Sequence, residues 1–274
     1  MRQKQKDYFS LRVAVVGGNL TAKNLTKIAE VAEKFGDGHV HLTSRQSIEI
    51  PFIKLEEIEA VKEALAEGEV YPGSCGPRVR TVTACQGNRV CGSGNIDSYD
   101  IAQELDKRYF AKELPHKFKM GVTGCQNNCL KAEENDIGIK GACIVKYNES
   151  ACVMCGACEK VCRQSAITIQ DKKLTWDRDK CIYCGRCEKA CPKNAWEGET
   201  GYWVSFGGLF GNRVHKGERL LPVVTSKEQL FRVTDAAVEF FKQNAKPKER
   251  FQFTIERVGV EKLKSVVEKA YQGG

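Results

Sequence analysis

The sequence predicts an α+β fold interrupted by a small cysteine-rich insert. Three patterns predict it. Strand-length apolar runs alternate with amphipathic helical spacing through residues 11–66. Two segments near the middle, CVMCGACEKVC and CIYCGRCEKAC, match at every cysteine and start at Cys152 and Cys181. Beyond residue 197 strand-like and then helical patterns resume, so the cysteine segment splits a larger domain. A chain of 274 residues has room for one large domain plus such an insert.

Taken in order, Leu11 to Val16 is a short apolar run that reads as a strand. Leu25, Ile28, Ala29 and Ala32 follow helical spacing, and Leu55, Ile58, Val61 and Leu65 do so again. Between them Val40 and Leu42, then Ile48, Ile50 and Phe52, alternate as strands do, with a turn near Ser44. Gly17-Gly18-Asn19 lacks the third glycine of a phosphate-binding loop and reads as a plain turn. Residues 71–95 are rich in glycine and turn formers. Residues 96–111 read as helix, and 117–123 as a strand leading into Gly124-Cys125. Tyr202–Phe206 reads as a strand. Two closing helices are marked by Val233, Ala237, Phe240, Phe241 and by Leu263, Val266, Val267, Ala270.

Composition excludes several classes. With 42% hydrophobic and 28% charged residues the chain is neither disordered nor membrane-spanning, since no run approaches 18 apolar residues. The basic start lacks the apolar core and cleavage site of a signal peptide. The expected compartment is therefore a reducing cytoplasm, in an anaerobic host. The net charge of +8 comes without an aromatic-interleaved basic stripe, which argues against nucleic acid as the partner.

Twelve of the fourteen cysteines form three groups. Cys152, Cys155, Cys158, Cys162 and Cys181, Cys184, Cys187, Cys191 have the spacing of bacterial two-cluster ferredoxins, and soft thiolates in such runs suit iron–sulfur clusters better than disulfides. In that arrangement the fourth cysteine of each run serves the other cluster. Cys152, Cys155, Cys158 and Cys191 then hold one 4Fe–4S cluster, and Cys181, Cys184, Cys187 and Cys162 the second. Arg163 stands where the usual proline follows the first run. Cys75 and Cys143 fit no group and read as buried or incidental thiols.

The third group is split: Thr83-Ala84-Cys85-x5-Cys91 and Gly124-Cys125-Gln126-Asn127-Asn128-Cys129. Together these resemble the signature of siroheme-dependent sulfite and nitrite reductases, of the dissimilatory-like anaerobic sulfite reductase class. The resemblance covers nearly the whole chain. It implies a sulfite reductase half-repeat of α+β class with an inserted bacterial 2[4Fe–4S] ferredoxin-like domain. Residues 1–70 would form a ferredoxin-like substrate-side subdomain, 71–142 and 197–274 the siroheme/4Fe–4S domain, and 143–196 the insert. Cys85, Cys91, Cys125 and Cys129 would hold a third 4Fe–4S cluster, with Cys129 also bridging to siroheme iron.

The same resemblance extends to basic segments around Arg45, Arg89 and Leu114-Pro115-His116-Lys117-Phe118-Lys119. Arg45 and Arg89 are implied as anion-binding groups, and Lys117 and Lys119 as binding groups that also deliver protons. Lys117 and Lys119 would share one strand face by period-two alternation. Arg80, Thr83, Asn127, Cys129 and Arg213, the last in Gly207-Gly208-Leu209-Phe210-Gly211-Asn212-Arg213, are implied as contacts to siroheme.

The implied reaction is six-electron reduction of sulfite to sulfide, with nitrite to ammonia as the alternative. A siroheme-free electron-transfer protein with three clusters and a siroheme carrier are the non-catalytic readings. No nicotinamide or flavin fingerprint is present, so a ferredoxin or companion reductase subunits would supply electrons. Because larger members contain two related halves and this chain reads as one, a homodimer or larger complex is expected, with the cations of one protomer facing the siroheme of the other.

Overall fold

The structure is a computed structural model and describes residues 1–273. The N-terminal unit consists of strand β1 (Tyr8–Arg12), helix α1 (Ala22–Phe35), strands β2 (His41–Leu42) and β3 (Ile48–Lys54), and helix α2 (Ile58–Ala66). The strands form an antiparallel sheet in the order β1-β3-β2, and both helices pack on it over Ile28, Val31, Ile50, Ile53, Val61 and Leu65. Thr21 starts α1 with a capping box: its hydroxyl accepts from the Asn24 N–H and the Asn24 side chain accepts from its own N–H.

The first strand is Tyr8–Arg12 rather than Leu11–Val16. Val13 still donates to the Ile48 carbonyl, but Ala14 donates to Tyr71 instead, so the apolar run leaves the sheet while Val13 and Val15 remain buried. A one-turn helix at Val16–Gly18 then reverses the chain, with Gly17 at φ 58°. This is the plain turn that the glycine pair predicts.

The larger unit comprises β4 (Thr83–Ala84), α3 (Ser98–Tyr109), β5 (Met120–Thr123) and β6 (Ile137–Tyr147). The cysteine-rich segment follows with α4 (Ala157–Val161), the hairpin β7 (Ile167–Gln170) and β8 (Lys173–Trp176), and α5 (Arg186–Ala190). The chain then returns as β9 (Trp196–Phe206) and closes with α6 (Lys227–Asn244), α7 (Phe251–Val258) and α8 (Val260–Gln272). The sheet order is β4-β5-β6-β9; β4, β5 and β6 run parallel, and β9 pairs antiparallel to β6 over its full eleven residues. Helices cover the sheet over a core in which Phe118, Phe241 and Phe251 meet with ring centroids 5.3–5.5 Å apart.

The two halves of the cysteine-rich segment repeat one backbone motif. Met154 and Tyr183 have φ of 54° and 52°, and Gly156 and Gly185 start α4 and α5 from φ of 77° and 73°. Only glycine takes that left-handed geometry without strain, which explains why both runs read C-x2-C-G.

Several elements are absent from the sequence reading: the two-residue β4 inside the turn-rich stretch, the short elements of the cysteine-rich segment, β6 and α7. Gly138 and Gly141 weaken the strand signal of β6, yet both are demanded by close packing. A Cβ at Gly141 would meet the Gly124 carbonyl oxygen at 2.2 Å, and one at Gly138 the Ala132 oxygen at 2.4 Å. Helix α7 is hidden because Phe251, Phe253 and Ile255 alternate like a strand, while the buried set Phe251, Thr254 and Ile255 has helical spacing. No helix among the described residues is long and apolar enough to cross a membrane.

Gly141 holds β6 against the loop that carries Cys125. Gly141→Ala is therefore expected to cost about 1–3 kcal/mol by overpacking, read as a lower urea midpoint with an unchanged slope.

Candidate active site

Five cations converge on one cavity of about 230 Å³. Arg12 reaches it from β1, Arg45 from the turn between β2 and β3, Arg80 from the approach to β4, and Lys117 and Lys119 from the extended run before β5. Phe118 lies between the two lysines and is fully buried on the opposite side, so alternation puts both ammonium groups in the cavity. Gly73, Ser47, Ser74 and Thr81 complete the wall, and no carboxylate among the described residues lines it.

The guanidinium of Arg45 is fixed from behind: Nη1 donates to Asn135 Oδ1 at 2.9 Å and Nη2 to the Thr81 carbonyl at 3.1 Å. Burial lowers its pKa to about 10, opposed by Asp136 and reinforced by Arg80 and Arg12. Lys119 is brought down to about 8, by burial first and then by Arg45 and Arg250. A lysine so placed remains protonated near neutrality yet gives up its proton far more readily than one in water. Arg12 is held by Glu49, with Nε to Oε1 at 2.8 Å.

Asp136 underlies this group. Its carboxylate is fully buried, receives Arg250 Nη2 on both oxygens at 3.0 Å, and accepts the Lys119 backbone N–H at 2.8 Å. Burial pushes its pKa up while Arg250 pulls it back. Arg250 also lines a second cavity of about 520 Å³ with His116, Lys117, Arg213, Phe253 and the loop Leu209–Asn212. Lys117 borders both cavities, so the two basic linings adjoin at that residue and together make up the basic trough. Arg89 lies outside it. It is exposed, paired with Asp97 at 2.7 Å and set over the Tyr99 ring.

The split quartet sits at the other end of the same strands. Cys85 follows β4 and Cys125 follows β5, whereas Arg80 and Lys119 precede those strands. At ~3.3 Å per extended residue the two ends are roughly 15 Å apart, and no quartet cysteine lines either basic cavity. Burial raises the Cys85 thiol, but donors from Ser98, Gly124 and Thr123 outweigh it and lower the pKa. Gly124 N–H approaches that sulfur to 3.0 Å. The Cys125 thiol is raised by burial first, and also by the neighbouring Cys85, Cys91 and Cys129. Among the described residues no three Cys, His, Asp or Glu side chains close up as a single-ion site would.

The loop from Cys125 to Cys129 is held by Glu133. This buried carboxylate accepts from Asn128 at 3.1 Å and is ringed by Lys140, Lys216 and Arg219 at 3.3, 3.5 and 3.7 Å. Asn127 and Cys129 are exposed on this loop. Thr83 instead is buried in the sheet, its hydroxyl directed to the Met120 carbonyl at 3.4 Å.

The remaining cysteines separate into two cavities. One is lined by Cys152, Cys155, Cys158 and Cys191, the other by Cys162, Cys181, Cys184 and Cys187. Each therefore takes three thiols from one run and one from the other. Gln126 and Asn127 of the quartet loop border the second cavity, and a further pocket of about 250 Å³ joins Cys125 to Cys184. Cys143 is buried between Gly185 and Gly198, its pKa raised to about 11 by burial, while Cys75 is exposed.

Residues 75–273 match the family described as nitrite and sulphite reductase 4Fe-4S domain, and residues 1–68 match the nitrite/sulfite reductase ferredoxin-like half domain. The chain belongs to the nitrite and sulfite reductase family. Among its relatives in this nitrite/sulfite reductase family, it is 34% identical over 171 residues to an anaerobic sulfite reductase subunit from Salmonella typhimurium, covering 57% of this chain and 50% of that protein. It is 33% identical over 268 residues to coenzyme F420-dependent sulfite reductase of Methanocaldococcus jannaschii, covering 96% of this chain and 43% of the relative. The chain thus spans about half the length of these two relatives. Its fold is similar to that of dissimilatory sulfite reductase I, with a TM-score of 0.78 at 20% identity over 95% of this chain and 69% of that one.

Sequence reasoning missed Arg12, Asp136, Arg250 and Glu133. Arg250→Met would strand the buried Asp136 carboxylate and is expected to cost about 3–5 kcal/mol, measured by chemical denaturation of the family member and its variant side by side.

Proposed function

We propose that this chain is the catalytic unit of a siroheme-dependent sulfite reductase that reduces sulfite to sulfide with six electrons. The observation that carries the reading is a trough of Arg45, Lys117, Lys119 and their neighbours free of carboxylates, in a chain whose family is built on a cysteine-held 4Fe–4S domain. The residues fit the macrocycle. Arg80, Arg213 and Arg250 present cations to a polycarboxylate, and the Arg250 Nε is buried without a partner at the edge of the larger cavity. Cys85, Cys91, Cys125 and Cys129 are the thiols for the coupled cluster, with Cys129 as the bridge. When bound, siroheme supplies the iron at which sulfite sulfur is reduced.

The chain's own residues bind the oxyanion and move protons. Arg45 is locked in place and offers a planar fork to two oxygens. Lys117 adds a point charge, and Lys119, at about 8, gives a proton to oxygen leaving as water. Arg89 is retained as an anion-binding candidate that reaches substrate from outside this cavity. The two other cysteine cavities fit ferredoxin-type 4Fe–4S clusters with crossed ligands, fed by a ferredoxin or companion subunits. Contact of the Cys181 cavity with Gln126 and Asn127 makes it the last relay before the quartet.

Separation of cations from quartet supports a shared site in a homodimer, with Arg45, Lys117 and Lys119 of one protomer facing the siroheme of its partner. Nitrite is the second reading, favoured by a family whose description pairs both substrates.

Two measurements test this. With reduced viologen as donor, sulfite turnover should exceed nitrite turnover and fall above about pH 8, where Lys119 loses its proton. Lys119→Ala should lose on the order of 10²-fold in rate, and Lys119→Arg should shift the alkaline limb upward. Protein that yields no tetrapyrrole on acid–acetone extraction overturns the reading. Co-expression of Lys119→Ala and Cys129→Ser chains should restore activity, because one site of a mixed dimer is then intact. Sites built within single chains would leave that mixture inactive.

A further inference from the structure

One wall of the cavity lined by Cys152, Cys155, Cys158 and Cys191 is aromatic. Trp196 lines it at 2% exposure, and its indole Nε1 is buried without a hydrogen-bond partner. Tyr147 packs on that indole with ring centroids 4.8 Å apart, and its hydroxyl is likewise buried and unpartnered. Trp176 meets Trp196 edge-on at 5.1 Å and 86°, and lines the neighbouring cavity of Cys162, Cys181, Cys184 and Cys187. Trp196 and Trp176 therefore link one cysteine cavity to the other, with Tyr147 packed on Trp196.

Buried polar groups in folded proteins are nearly always paired, so two orphans side by side call for a cause. An indole N–H can only donate. The groups at hand are thiols: Trp196 shares its cavity with Cys158 and Cys191, Tyr147 packs with Trp196, Cys158 and Cys191 in one buried cluster, and Trp176 lines the cavity of Cys181. No other use of the Trp196 N–H or the Tyr147 O–H is found in the surrounding β6–β9 ladder.

We infer that Tyr147 and Trp196 are hydrogen-bond donors to the cluster held by Cys152, Cys155, Cys158 and Cys191, and that they raise its reduction potential. The inference rests on the two-cluster reading of the cysteine runs given above. An added electron places negative charge on the cluster sulfurs, and donors aimed at those sulfurs stabilise it. The second cavity is lined by a single indole, Trp176, which is only half-buried. Two clusters with matching ligand sequences are thereby made unequal. The one farther from the quartet loop is easier to reduce, and it holds an electron ready for a reaction that consumes six.

The test is a redox titration of anaerobically purified, fully loaded protein, followed by electron paramagnetic resonance, with iron and acid-labile sulfide counted beforehand. Tyr147→Phe and Trp196→Phe should each move one cluster signal toward the oxidised form by about tenfold in the equilibrium, ~59 mV for one electron. Trp176→Phe should move the other signal. Loaded Tyr147→Phe and Trp196→Phe proteins that titrate like the parent overturn the inference. Should Trp196→Phe fail to accumulate, Tyr147→Phe decides alone, since it removes one hydroxyl that nothing else in the fold uses. A parent protein holding about five iron atoms instead of about 13 would instead remove the two-cluster reading beneath it.

Discussion

The buried carboxylate of Asp136 ties together the parts on which the basic trough depends. It stands at the start of β6, holds the Lys119 backbone from one side and receives Arg250 from the start of α7 on the other. Its carbonyl accepts the Gly207 N–H, so the loop leading to Arg213 is fixed by the same residue. One negative charge thus sets the position of a strand, a helix terminus and a loop, each carrying cations. Burying such a carboxylate is tolerable because both oxygens are met by Arg250 and one also by a backbone donor.

The trough is electrostatically strained by its own lining. Five cations share about 230 Å³ without an acid among them, and the shifts in Arg45 and Lys119 register that crowding together with their burial. An anion bound there would relieve both. On the opposite end of the parallel strands the chemistry reverses: Cys85 and Cys125 follow β4 and β5 there, and Gly124 N–H and the Ser98 hydroxyl favour a thiolate at Cys85. β4 and β5 are short, so the two environments are close enough to be held rigidly while each keeps its own lining.

Much of this was legible from residues alone. The repeated cysteine spacing marked out the segment that the structure has between β6 and β9, because thiols and glycines at fixed intervals leave few alternatives. Period-two alternation around Phe118 placed Lys117 and Lys119 on one side, and the structure has them there. Arg45 reached the same cavity, but Arg89 did not, since an i+8 carboxylate at Asp97 takes its guanidinium. Arg12, Asp136, Glu133 and Arg250 carried no local signal: each acts through partners far away in sequence or through burial, and Arg12 looked like any cation on an edge strand. β6 escaped because glycines required by packing mimic those of a loop, and α7 because alternating aromatics counterfeit a strand.

The crossed sorting of the two cysteine runs binds the halves of the cysteine-rich segment into one another. Neither half can complete its own four-thiol pocket, whatever that pocket holds, so damage to Cys162 or Cys191 is felt across the pseudo-symmetry rather than beside itself. A segment knitted this way cannot have its halves separated without opening both pockets.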